Sequence, residues 1–123
     1  MFFRRHFLLV TFCLLIAFEL VEGCRRESLP SVAAGSKAFE SAAPELREAW
    51  SAAVAADRTN GYAEAYATLT KLRHPSVLTP EQLQAVNALY HSVTMRLSAA
   101  LKRGDPAAKQ AAEEIGNSDR RGR

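Results

Sequence analysis

The stretch from Thr79 to Gly104 fixes the length of whatever this chain folds into. Thr79-Pro80-Glu81-Gln82 is a helix start in which several signals agree. Thr79 is a capping residue, Pro80 suits the first helical position, and Gln82 completes a capping box with Thr79. Leu78 and Leu83 flank the cap as a hydrophobic staple. Leu83, Val86, Tyr90, Val93, Leu97 and Ala100 then recur at steps of three and four, with Leu89 and Leu101 widening the seam. This predicts a helix over about 80–103, roughly 36 Å long. Every other element must be placed along that rod.

Three shorter helices are predicted around it. Pro44 opens the first, with Glu45 and Glu48 at its positive end. Leu46, Ala49, Trp50, Ala53 and Val54 make its apolar stripe. Arg58-Thr59-Asn60-Gly61 turns the chain, with Asn60 or Gly61 able to take the left-handed conformation. Tyr62, Ala65, Tyr66, Leu69 and Leu72 stripe the second helix. His74-Pro75 stops it, because a residue before proline is pushed out of helical geometry. These two form an antiparallel hairpin over about 44–73. Asp105-Pro106 starts a short helix over about 106–115, with Ala108, Ala111, Ala112 and Ile115 as a weak stripe. Gly116-Asn117 ends it. The fold class is therefore all-α, a small bundle of three to four helices. Residues 42–116 form the helical domain and 117–123 a disordered basic tail.

The hairpin helices are near 20 Å each, too short to cover the long helix. Leu97, Ala100 and Leu101 would be left bare. Either the last helix folds back over them through Gly104, or a partner covers them. Leu97 and Leu101 are thus the interface candidates, with a homo-oligomer through helix 80–103 as one form of that partner.

The start of the chain carries a different signal. Arg4-Arg5-His6 is a basic head, Phe7 to Phe18 is free of charge, and Val21-Glu22-Gly23-Cys24 follows. Twelve apolar residues span roughly 18 Å as a helix, short of the roughly 30 Å hydrocarbon core. This is the layout of a cleaved secretory signal peptide, residues 1–23. It resembles a bacterial lipoprotein precursor, with cleavage between Gly23 and Cys24 and lipidation on Cys24. That resemblance implies a protein of the cell envelope, lipid-anchored to a bacterial membrane. Glu22 departs from the lipobox pattern. Val21-Glu22-Gly23 also fits ordinary signal peptidase, which would leave a periplasmic or secreted soluble protein. Arg4-Arg5-His6-Phe7-Leu8-Leu9 is similar to the twin-arginine export motif, or is simply a basic head.

Residues 24–41 read as the lipidated cysteine and a flexible tether, since Ser28, Pro30, Ser31, Gly35, Ser36 and Ser41 break any periodicity. Such a tether would reach roughly 20–25 Å. Arg25 and Arg26 either meet anionic headgroups or are an incidental pair. Phe39 docks on the domain or stays exposed.

Composition narrows the function classes. The removable segment holds two charges of each sign (Arg4, Arg5, Glu19, Glu22), so the remainder keeps the net +3 of the whole chain. Arg25 and Arg26 lie by the anchor, and Arg120, Arg121 and Arg123 in the tail. No clustered basic face remains for nucleic acid. Of the two cysteines, Cys13 leaves with the signal segment. Cys24 alone forms no internal disulfide, and with His74 and His91 it makes no metal site. No cofactor motif and no catalytic constellation is visible. Glu113 and Glu114 are adjacent and point about 100° apart. Trp50, Tyr62, Tyr66 and Tyr90 all fall on core stripes, which favours packing over an aromatic ligand site.

Tyr62-x-x-Ala65-x-x-x-Leu69-x-x-Leu72 after Asn60-Gly61 resembles the second half of a tetratricopeptide repeat. Residues 46–79 match one unit in length. The aromatic–Leu–Gly pattern of the first half is replaced by alanines. The resemblance implies a helical hairpin and, by analogy of fold, protein binding or scaffolding with an envelope protein as partner.

Overall fold

The structure is a computed structural model that describes residues 30–74 and 76–123. The expected signal peptide, its cleavage at Gly23–Cys24 and the lipidation of Cys24 lie outside the described residues. Within them the protein is all-α, with five helices and no strand. They are α1 (Pro30–Phe39), α2 (Pro44–Arg58), α3 (Tyr62–Leu72), α4 (Pro80–Lys102) and α5 (Pro106–Arg121).

α4 forms as its local sequence requires. The Thr79 hydroxyl accepts from Gln82 N at 3.2 Å, and Gln82 Oε1 accepts from Thr79 N at 3.0 Å. Gln82 goes further than a capping box. It is itself buried, and its Nε2 donates to the Ala38 carbonyl of α1 at 3.0 Å. One side chain thus caps α4 and ties the end of α1 to it. Val86, Leu89, Val93 and Leu97 line the inner face of α4.

The α2–α3 hairpin turns through Asn60, which takes the left-handed conformation at φ 58°. Gly61 does not, and its N–H instead donates to Ala56 O at 2.8 Å. An asparagine tolerates this φ better than most residues. Asp57 on α2 pairs with Arg96 on α4, an ion pair between the two elements.

α1 corrects the expected tether. Residues 30–39 are a ten-residue helix rather than flexible chain. Val32, Gly35 and Phe39 fall on one face, and both large side chains are buried. The Phe39 ring stacks on Trp50 with centroids 5.0 Å apart, and Trp50 Nε1 donates to Ser36 Oγ at 3.4 Å. Gly35 is where the indole needs room. A methyl there would sit 2.7 Å from Trp50 Cη2 and 3.1 Å from Ala85 Cβ. Glycine and serine are poor helix formers, so propensity argued for loop. Tertiary packing overrides it, as is usual for short helices.

α5 corrects the expected tail. The helix passes through Gly116 and Asn117 and ends at Arg121. Nothing crowds Gly116, and one glycine inside a helix costs only about 1 kcal/mol against alanine. Arg120 and Arg121 lie in the last turn, where the dipole favours cations. At the other end Asp105 Oδ1 accepts from Ala107 N at 2.9 Å. Gly104, at φ 76°, reverses the chain.

That reversal settles the bare end of α4. α5 packs on α3 and α4. Leu97 is 8 % exposed and Ala100 fully buried, with Leu101 half-buried. Leu97 is therefore a core residue and is withdrawn as an interface candidate. Leu101 keeps only part of its surface.

The topology follows from contacts. Gln82 meets Ala38 while Ala85 is level with Gly35, so α1 and α4 are antiparallel. α1 packs on α2 and α4, α2 on α3, and α3 on α4. These four close an up-down-up-down ring, with α5 laid on its α3–α4 edge. α1 and α3 lie diagonally across the bundle.

Candidate binding groove between α3 and α5

Two helices that lean together over small residues leave a groove between them. Ala63, Ala67 and Ile115 form much of the wall between α3 and α5, in a cleft of about 430 Å³. Its rim carries Glu64, Glu114 and Asp119 against Lys71, with Thr70 and Ser118 adding hydroxyls. A second groove, of about 520 Å³, runs between α1 and α4 over Ala34, Ala38, Ala85 and Ala88. It has fewer polar groups. The α3–α5 groove is the better candidate for specific recognition, because an apolar floor with placed polar groups gives both affinity and orientation.

Tyr66 stands at the inner edge of that groove. Its ring tilts against Tyr90 of α4, centroids 5.3 Å apart. The Arg73 guanidinium lies 4.3 Å above the centre of the Tyr90 ring, an orientation in which the ring's negative face attracts the cation. The Tyr66 phenol is pushed up to about 12. Hydrogen bonding with the Tyr90 hydroxyl is the main cause. Burial, the Tyr90 charge and the Asp119 carboxylate act the same way, and Arg73 opposes them. A phenol held neutral donates and accepts hydrogen bonds, but it is a poor base or nucleophile at neutral pH.

The four aromatic residues divide. Trp50 and Tyr62 are buried and serve packing. Tyr66 and Tyr90 are half-buried, and Tyr66 lines the groove with Tyr90 behind it. Sequence periodicity placed all four on core stripes and gave no sign of this division. The pairing of Tyr66 with Tyr90 and the nearness of Asp119 arise from helices that are distant in sequence.

His74 lies exposed just after α3, and His91 exposed on α4. Glu113 and Glu114 are exposed on α5, and Glu114 Oε1 accepts from Gln110 Nε2 at 3.1 Å. The structure does not bring these groups together. Among the described residues, no set of three or more His, Cys, Asp or Glu side chains is placed to hold a metal. No helix among them is long and apolar enough to cross a membrane.

Comparison with protein families, with curated proteins and with solved structures finds no match.

The groove therefore has to be read from its own chemistry. It offers an apolar floor, a mixed-charge rim with three carboxylates to one lysine, and a neutral phenol. An apolar floor flanked by placed polar groups is the arrangement that can hold a partly apolar ligand in one orientation.

Proposed function

We propose that this chain is a small membrane-tethered helical lipoprotein of the bacterial cell envelope, working as a protein-binding or scaffolding module. The observation that carries the tethering is the order basic head, apolar run, Val21-Glu22-Gly23-Cys24. The α3–α5 groove supports the binding role, since it presents a partly apolar surface on a rigid helical frame. No catalytic role is assigned to any residue. The intact mass of the mature protein, produced from the full precursor in a bacterial host, tests the reading. A start at Cys24 with the added mass of acyl chains, lost in Cys24→Ser, is expected.

Glu22 favours one other reading, a secreted soluble helical carrier or inhibitor without a lipid. A mature chain that starts at an unmodified Cys24 and is recovered without detergent would establish it in place of the first. The partner of the groove is sought by placing a photo-crosslinking residue at Thr70. A discrete adduct that is lost when Ile115 is changed to Arg is expected for a docked envelope protein.

A further inference from the structure

The position of α1 changes what a lipid on Cys24 would do. With the whole of residues 24–41 as tether, a domain would sample many orientations over its bilayer. The structure assigns residues 30–39 to the bundle. What is left between anchor and domain is the short interval from Cys24 to Pro30, six residues apart in sequence. Fully extended, that interval spans at most about 21 Å. This is about twice the diameter of one helix with its side chains.

Resting on the lipoprotein reading, we propose that the α1 side of the bundle faces the lipid surface and that the α3–α5 groove faces away from it. Two observations carry this. The chain enters the bundle at Pro30, so the anchor is bound to the α1 corner. α1 packs on α2 and α4, whereas α5 packs on α3 and α4, so the groove lies across the bundle from that corner. To turn the groove toward the headgroups, the interval from Cys24 would have to pass around the bundle, which uses up most of its reach.

The exposed groups on the α1 side are mild in character. Ala33, Ala34 and Ser36 are exposed on α1, with Lys37 as its charge and Glu40 just past its end, and Glu81 lies across the α1–α4 groove on α4. The charges nearly balance, so the anchor and not a basic patch holds this side down. Arg25 and Arg26, next to Cys24, are the cations left to meet anionic headgroups, each contributing about 1 kcal/mol. Orientation should therefore survive raised salt.

The test uses the acylated full-length product in vesicles of phosphatidylethanolamine and phosphatidylglycerol carrying a headgroup nitroxide. Cys24 is blocked by its lipid, so a single new thiol takes the fluorophore. Ala33→Cys reports on the α1 side and Thr70→Cys on the groove; both positions are exposed. Quenching several-fold stronger at position 33 than at position 70 is expected, at low and at high salt. Equal quenching, or stronger quenching at position 70, would overturn the orientation while leaving the anchor intact. A protein that stays off the vesicles, with Cys24 unmodified by mass, would remove the lipoprotein reading itself. A flexible Gly-Ser insertion between Glu27 and Ser28 provides the control. It should keep the protein on the vesicles and abolish the contrast between the two positions; a contrast that persists would mean the short interval does not set the orientation.

Discussion

α1 and α5 are the first and last helices of the bundle, and each begins on a proline, yet they hold to it by unlike side chains. α1 sinks Val32 and Phe39 into the core and brings its backbone against Trp50 at Gly35. α5 sinks Ala108 and Ala111, with Ala112 and Ile115 only half-buried. The shorter helix therefore makes the heavier contact. α5 relies more on its own ends: the Asp105 cap, and arginines in its last turn. A helix fixed by large side chains fails at single points. A helix fixed by alanines and terminal groups loses stability in small steps.

The largest effect should come from Phe39→Ala. A buried phenylalanine cut to alanine costs about 3–5 kcal/mol, and here the stacking with Trp50 goes as well. A loss in that range in urea unfolding is expected, with Trp50 fluorescence shifted to the red as the indole gains solvent. A loss under about 1 kcal/mol would mean that α1 is not docked. Ile115→Ala on α5 provides the contrast, since that side chain is only half-buried; it should cost clearly less.

Gly35→Ala should rank next. Alanine is the better helix former by about 1 kcal/mol, so propensity alone predicts stabilisation. The crowding against Trp50 and Ala85 opposes this, and overpacking typically costs about 1–3 kcal/mol. We expect net destabilisation. Gly116→Ala is the same substitution on α5, where nothing meets the added methyl. It should stabilise by about 0.5–1 kcal/mol. Opposite signs for one chemical change would sharpen the contrast between the two helices, and equal signs would break it.

These pairs also show which parts of the structure were legible beforehand. Helix starts at Pro44, Pro80 and Pro106 follow from groups a few residues apart, and all three stand where local chemistry put them. The return of α5 over Leu97 was one of two solutions that helix lengths allowed. α1 was hidden because its helix depends on a partner: Gly35 and Ser36 read as loop until Trp50 is beside them. The reach of α5 past Gly116 is hidden for a milder reason: Gly116 and Asn117, two poor helix formers in a row, read as a stop. The groove was less legible still. Ala63, Tyr66 and Asp119 acquire a shared surface only when α5 is laid along α3, and no spacing in the chain encodes that.

The smallest effect distinguishes the groove side by its titration. Tyr66 keeps its proton to about pH 12, against 10.0 for an ordinary tyrosine. Below pH 10 the folded and unfolded chains both hold the phenol neutral, and the interactions that favour that form count in full. Between pH 10 and 12 the unfolded chain loses this proton while the folded chain keeps it. Unfolding then releases a proton, so the contribution of Tyr66 to stability falls as pH rises through that window. Tyr66→Phe removes the titration. Its urea midpoint should fall less steeply from pH 10 to 12 than that of the native chain, even if it begins lower for loss of the Tyr90 hydrogen bond. Because the side chain is partly exposed, solvent screening keeps the difference modest. Absorbance at alkaline pH provides an independent reading, in which one of the three tyrosines should ionise late and vanish from the curve in the variant. Identical slopes and no late component would mean that α3 and α4 do not bring the two phenols together. The polar edge of the groove would then have to be redrawn, while α1, fixed by Phe39 and Gly35, would be unaffected.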